Sequence, residues 1–486
     1  MTGSTTPNRI LVPLIIACAL FMENLDSTVV STSLPAIAVS FGENPLRLNL
    51  AITSYLLALG IFIPVSGWAA DRFGARTVFC WAIVLFTLGS IGCSFVNNLP
   101  EFVVARIVQG MGGAMMVPVG RLVVLRSVPK HDLVNSMAWL TVPALIGPML
   151  GPPLGGFIST YGSWRGIFLI NIPIGILGVF LALRYIENFR EERREKFDAY
   201  GFVIISIGIA ATMFGFENIG RGILPTSVVI GLLGGGSVML ALYYMHFRKV
   251  LASETTAPII DLSLLNITTY RASVTGGFVF RMGLGALPFL TPLMLQLGFG
   301  LTPFASGMIT FAGAAGAITM KFTAGPIIRR FGYRNVLIGN TVICAVFMAA
   351  YGLFTPMTPH FVIILTLLVG GFFRSLQFTA LNTVVYAEIE TPRMSRATTL
   401  SSVMQQLSLS FGVGIGAMVL HFTVMMSGRE HLIAADFSPA YFFIGGLGLT
   451  SLFFFLPLAA NAGDEVSGRI VAPAMGVAKD IGRAAE

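Results

Sequence analysis

Apolar runs about as long as a membrane-crossing helix, roughly 20 residues, follow one another along almost the whole chain. Divided at charges and at Pro/Gly breaks, they give fourteen candidate spans: 10–32, 48–67, 77–96, 101–125, 134–160, 166–186, 200–219, 225–245, 271–297, 302–323, 335–355, 360–387, 398–425 and 439–459. The least distinct division is IGRGILP, between 200–219 and 225–245. One water-soluble core could not hide so much apolar surface. Only 11% of residues are charged, against roughly 25% in soluble domains, and mean hydropathy is +0.83. The sequence therefore predicts an all-α integral membrane protein. Its polar start, MTGSTTPNRI, leads into the first run without a small-residue cleavage site, so the first run is expected to stay as a span.

An even number of spans puts both termini on one side. With that side placed in the cytoplasm, it collects 23 of the 30 Lys and Arg residues. The opposite side holds Arg47, Arg165, Arg221 and Arg429, and Arg106, Arg281 and Arg374 fall inside spans. This asymmetry is the one that membrane insertion favours. The formal net charge of +8 is thus a topology signal and not a nucleic-acid footprint.

A basic pentapeptide occurs twice, RFGAR at 72–76 and RFGYR at 330–334. Both copies fall in short cytoplasmic turns, the first after span 2 and the second after span 10. Without spans 7 and 8, the copies occupy equivalent places in two six-span halves. Such parallel repeats, with a site between them, are a transporter architecture. The expected division is 1–186 for the first half, 187–270 for a charged linker and two extra spans, 271–459 for the second half, and 460–486 for a cytoplasmic tail. The mixed-charge run ENFREERREKFD, 187–198, reads as a solvated linker helix, with Glu192 four before Lys196.

Each residue of the first turn has a physical use. Gly67 permits close helix approach. Asp71 can cap backbone N–H groups or pair with a base. Gly74 allows a positive φ at a sharp reversal. Arg72 and Arg76 hold the turn in the cytoplasm and can bond helix-terminal carbonyls. A turn placed only by the positive-inside rule would need only the two arginines.

The stretch GWAADRFGARTVF, 67–79, resembles the loop 2–3 signature of the major facilitator superfamily, with Thr77 where a second basic residue usually stands. The second copy, GPIIRRFGYRNVL, lacks the acid. RIVQGMGGA, 106–114, resembles the span 4 motif, carried by Arg106, Gln109 and Gly110. GPMLGPPLGG, 147–156, resembles the antiporter motif of span 5, carried by Gly147, Gly151, Pro152, Gly155 and Gly156. LDSTVVSTSLPAIA, 25–38, and WRGIFLINIPIG, 164–175, are similar to spans 1 and 6 of the fourteen-span drug:proton antiporters. The resemblance covers nearly the whole chain. It implies the major-facilitator fold, two six-helix halves plus two extra spans, and proton-coupled export in the plasma (inner) membrane.

Charge inside a span costs about 2.5–3.5 kcal/mol on insertion scales, so embedded ionisable groups are functional candidates. Span 1 carries Glu23 and Asp26, three apart and so close to one face. A carboxyl balanced between burial and a nearby cation can load and release a proton. The resemblance puts Asp26 at the family's acidic position. Arg106 reads either as a relay partner of that acid or as a pin on neighbouring backbone. In span 5, the small residues make a close-packing face, and Pro148, Pro152 and Pro153 predict a bend. Candidate cavity residues are Gln109, Arg281, Arg374, Gln377, Asn382 and Gln405, with Gln406 adding polarity. If Arg281 and Arg374 line the cavity, they favour an anionic or zwitterionic substrate over the cationic drugs usual for this branch.

Other chemistries find no support. The five lysines are followed by His, Phe, Val, Phe and Asp, so no phosphate-binding Gly-Lys-Ser/Thr occurs. There is no hydrolase constellation, CxxC pair or HExxH, and neither a metal nor a cofactor is expected. The partners expected are protons, a small-molecule substrate and the bilayer; the sequence does not say whether a periplasmic adaptor is needed. The reading is a proton-coupled exporter of drugs or other amphipathic compounds by alternating access. Two alternatives stand beside it, export or exchange of an anionic or zwitterionic metabolite, and a non-transporting membrane sensor or scaffold.

Overall fold

The computed structural model describes residues 8–43, 45–190, 196–219, 224–252, 258–428 and 432–467. At helical positions 8, 9, 31, 32, 35, 45–47, 49, 144, 145, 148, 149, 152, 160 and 303 only the backbone is described. The first half comprises α1 (Asn8–Phe41), α2 (Pro45–Phe62 and Val65–Phe73), α3 (Ala75–Phe95), α4 (Leu99–Ser127), α5 (Leu133–Tyr161) and α6 (Gly166–Tyr185). Two helices follow, α7 (Ala199–Asn218) and α8 (Thr226–Leu251). The second half has α9 (Thr268–Leu293, continued by a π turn to Gly298), α10 (Pro303–Phe331), α11 (Tyr333–Tyr351), α12 (His360–Val384), α13 (Met394–Ser427) and α14 (Ser438–Thr450 with Leu452–Phe455).

Twelve of these helices are long and apolar enough to cross a membrane, thirteen with bent α2 as one span. The fourteen expected spans are thus matched in part. The remaining helix, α5, is 29 residues long and contains six of the positions described by backbone alone.

The halves repeat one packing pattern. In the first, α1 packs on α5, α2 on α4, and α3 on both α4 and α6. In the second, α9 packs on α13, α10 on α12, and α11 on both α12 and α14. The halves meet along two seams, α5 against α10 and α12, and α13 against α4 and the second part of α2. The extra pair is attached at the latter seam. Helix α7 touches both α2 and α13, and α8 packs on α7. Phe216 of α7 stacks on Phe411 of α13 at 3.9 Å between centroids. On the other flank, the Ser206 hydroxyl donates to the Ile61 carbonyl of α2 at 3.1 Å.

Two local differences from the sequence expectation have physical causes. The span expected over 48–67 is a helix pair bent by 58°, running on to Phe73. Pro64 lies at the break and supplies no N–H for a continuous ladder. The linker 187–198 was expected to be helical, yet 186–190 is not, and 191–195 lies outside the described residues. Its groups serve the start of α3 instead. The Phe189 carbonyl accepts from Ala75 N–H at 3.0 Å, and the Arg76 guanidinium donates to the Ile186 carbonyl at 3.2 Å. Free N–H groups at a helix start need such partners.

Both pentapeptide turns reverse the chain through a left-handed glycine, Gly74 at φ +96° and Gly332 at φ +74°. A Cβ on Gly74 would also stand 2.7 Å from the Asn188 Cγ. Gly74→Ala is therefore expected to destabilise the protein by at least about 1–2 kcal/mol, the cost of a left-handed L-residue. Gly156, with nothing within 4 Å of an added Cβ, should accept Ala with little change. Thermal unfolding of both variants in detergent checks this.

Candidate functional site

The turn of α1 at Asp26 holds a densely bonded polar site within the helices. Asp26 is 3% exposed and Arg106 of α4 is 1% exposed. Arg106 Nη1 lies 2.6 Å from Asp26 Oδ2. The other oxygen, Oδ1, accepts from Gln109 Nε2 at 2.8 Å and from Asn171 Nδ2 of α6 at 3.1 Å. Gln109 and Asn171 both also donate to the Ser90 hydroxyl of α3, at 2.7 and 3.0 Å. Arg106 Nη1 donates to Gln109 Oε1 at 2.6 Å, its Nε donates to the Ala51 carbonyl of α2 at 3.3 Å, and its guanidinium lies over the Tyr55 ring at 4.2 Å. Five helices thus meet in one network around this carboxylate, two of them bonding it directly. Arg106 makes both of the contacts read for it from sequence, one to the acid and one to backbone.

The α4 spacing explains the local arrangement. Arg106 and Gln109 are three apart and share a helix face, so one helix brings both donors to Asp26. Ser90, Asn171 and Tyr55 complete the site. Asn171 lies inside the span 6 segment singled out by resemblance, whereas Ser90 and Tyr55 carry no sequence signal. Glu23 lies one turn before Asp26 and is not in the network; its Oε2 is buried without a hydrogen-bond partner.

The glycines of α5 lie against this same turn. A Cβ on Gly147 would come within 2.9 Å of Leu25 N and 3.0 Å of the Phe21 carbonyl. One on Gly151 would come within 2.7 Å of Thr28 Cβ. Gly155 is buried, whereas Gly156 faces open space. The side chain of Pro152 lies outside the described residues. Helix α5 runs unbroken past its prolines.

The first pentapeptide turn joins the halves. Asp71 accepts from Ser395 Oγ of α13, and its other oxygen lies 3.4 Å from Arg126 of α4. Ser66 and Thr399 hydroxyls are 3.2 Å apart, and a Cβ on Gly67 would be 3.0 Å from the Ser395 carbonyl. Arg76 bonds the segment after α6, and Arg72 is part-exposed in the last turn of α2. In the second copy Gly325 has nothing within 4 Å of an added Cβ, and Ile328 is fully buried.

The proposed cavity residues separate. Asn382 lines a narrow cavity between the halves, with Leu20, Arg121, Lys321 and Thr379 among its neighbours. Arg281 reaches Asn382 Oδ1 at 3.1 Å, and Gln405 accepts from Arg121 at 3.4 Å. Gln109 belongs to the Asp26 network instead. Gln377 is used between α11 and α12, donating to Thr341 at 2.8 Å and accepting from Asn340 at 2.9 Å. Arg374 is half-buried beside Gly313 of α10 and is not among the residues lining this cavity. Arg121 and Lys321, counted from sequence as cytoplasmic span ends, are each 6% exposed within helices. Helix α10 runs on to Phe331, which places Lys321 ten residues inside its end.

The model of the Major Facilitator Superfamily matches residues 16–269 and 273–478. A protein of Serratia proteamaculans, provisionally named multidrug resistance protein MdtD, is 40% identical over 427 residues, 88% of this chain and 87% of its own length. The protein of the same name from Salmonella heidelberg is 38% identical over 419 residues, 86% and 87% of the two chains. Among solved structures, the proton:xylose symporter XylE matches with a TM-score of 0.66 at 16% identity, covering 96% of this chain and 99% of that one. The human organic anion transporter MFSD10 matches with a TM-score of 0.66 at 14% identity, covering 93% and 100%. Similarity at that identity bears on the fold alone.

Proposed function

The chain belongs to the major facilitator superfamily, and from that premise we propose a drug-efflux secondary transporter that exchanges substrate for protons at Asp26. Relatives named for multidrug resistance, about 40% identical over most of the chain, support efflux. One observation carries the coupling assignment, an ion pair closed off from solvent inside the helices and anchored on five of them. Its acid can be neutralised only by a proton or released only by a helix movement that parts Arg106 from it. The α5 glycines lie against the same turn, so a shift of α5 would be felt directly at Asp26. An embedded pair of this kind is what a proton relay requires.

In this reading α5 completes fourteen spans, the membrane is the plasma (inner) membrane, and both termini and both pentapeptide turns are cytoplasmic. The bonds of Asp71, Ser66 and Arg121 to the second half then close the cytoplasmic side, and alternating access requires them to part. No adaptor protein is invoked. Arg165→Cys, in a background lacking other reactive cysteines, should react in intact cells with an impermeant thiol reagent. Arg330→Cys should react only after permeabilisation. The reversed pattern would invert the topology. Coupling itself is tested in proteoliposomes with an imposed pH gradient, scored for substrate-induced proton movement. A wild-type protein that moves substrate without moving protons would overturn the antiport reading.

A further inference from the structure

The geometry points to an anion-binding site at the seam between the halves, formed by Arg121, Lys321 and Arg281, that receives the carboxylate of an amphipathic organic anion. This rests on the transport reading and specifies its substrate class.

All three cations are almost completely buried, with exposures of 6%, 6% and 3%. Among the described residues, none has a carboxylate within ion-pair distance, whereas Arg106 has Asp26 at 2.6 Å. Their partners are neutral. Lys321 Nζ donates to Thr379 Oγ1 at 2.7 Å. Arg121 reaches only the Tyr386 hydroxyl at 3.5 Å and Gln405 Oε1 at 3.4 Å. Arg281 reaches Asn382 at 3.1 Å, and its Nε is buried with no partner. Burying one uncompensated charge costs several kcal/mol, and this fold buries three close together. A bound anion would offset that cost, and it would do so in the place where a transporter of two repeats holds its cargo.

The placement is specific. Arg121 comes from α4 of the first half, and Lys321 and Arg281 come from α10 and α9 of the second. Arg121, Lys321 and Asn382 line the same cavity, and Asn382 ties Arg281 to it. Leu20, Met137, Leu140 and Phe378 supply an apolar wall. Charge on one side and hydrocarbon on the other suits an organic anion with an apolar body. The cavity is narrow here, about 20 Å³, enough for one water molecule. Cargo therefore enters only when the halves separate, which also moves Arg121 relative to Lys321 and Arg281. Leu20 lies six residues before Asp26, about 9 Å along α1, so cargo and proton would occupy different levels of one helix.

The test uses purified full-length protein and two fluorescent probes, anionic carboxyfluorescein and cationic ethidium, with binding read by fluorescence polarisation. Carboxyfluorescein should bind saturably and compete with other amphipathic carboxylates. Lys321→Gln and Arg281→Gln should each raise its Kd at least tenfold, while Lys321→Arg retains binding. Ligand-free thermal midpoints identify any variant that misfolds, and the charge-conserving variant then carries the comparison. Ethidium binding with no carboxyfluorescein binding would overturn the proposal, as would an unchanged Kd in a folded Lys321→Gln variant. The same protein in proteoliposomes separates the two readings. Anion binding without pH-driven flux of either probe would sink the transport reading and leave the site standing. Uphill ethidium flux without anion binding would do the opposite.

Discussion

Asp26→Asn is expected to abolish proton-driven accumulation and to leave energy-independent substrate exchange. The replacement has nearly the same shape, and its side-chain oxygen can still accept from Gln109 and Asn171, which now hold Oδ1 at 2.8 and 3.1 Å. The lost property is the charge that faces Arg106. Removing one partner of a buried pair costs about 3–5 kcal/mol, so a lower thermal midpoint is expected too. Stability and coupling therefore need separate measurements. In proteoliposomes with an imposed pH gradient, uphill flux and substrate-induced proton movement should both fall to the level of protein-free vesicles, while counterflow at equal pH persists. Uphill, proton-coupled transport by Asp26→Asn would remove Asp26 from the role, and Glu23, one turn earlier on α1 with a buried unpartnered oxygen, would be the next carboxyl to test. A variant that keeps neither fold nor exchange would mark Asp26 as structural.

Gly151→Leu should insert into the membrane and lose transport. A Cβ there would stand 2.7 Å from Thr28 Cβ and 3.3 Å from Val29 N, so even the first added carbon overlaps α1. Overpacking of this kind typically costs about 1–3 kcal/mol in a soluble core. Here the strain falls on the α1–α5 contact beside Asp26, where a shift of a few tenths of an ångström would disturb the Arg106 pair. Gly156→Leu is the matched control, because that position is open. Normal expression and a cooperative, modestly lowered thermal midpoint with flux at background would support a moving contact at Gly151. Near-normal flux from Gly151→Leu would reduce the motif to a spectator.

The sequence by itself determined the solvent and the order of the helices. Runs of about 20 apolar residues leave lipid as the only suitable surroundings, and the charges between them mark the turns. It also determined the two glycine turns, since a reversal through positive φ is cheap only for glycine. An acid and an arginine inside apolar runs stood out because each costs free energy to bury. The tertiary structure decided what carries no such cost or what sits near a run's edge. Ser90, Tyr55 and Asn171 are uncharged, and hydropathy cannot separate a polar side chain that serves Asp26 from one that bonds its own helix, as the Thr341 hydroxyl does to the Leu337 carbonyl at 2.7 Å. Gln377 and Gln109 looked alike as cavity residues, yet one joins α11 to α12 and the other joins Asp26 to Ser90. Arg121 and Lys321 looked like cytoplasmic anchors because each stands near the end of an apolar run. Only the packing of α4 against α13 and of α10 against α5 shows them buried, since a residue's depth depends on what the other half places over it.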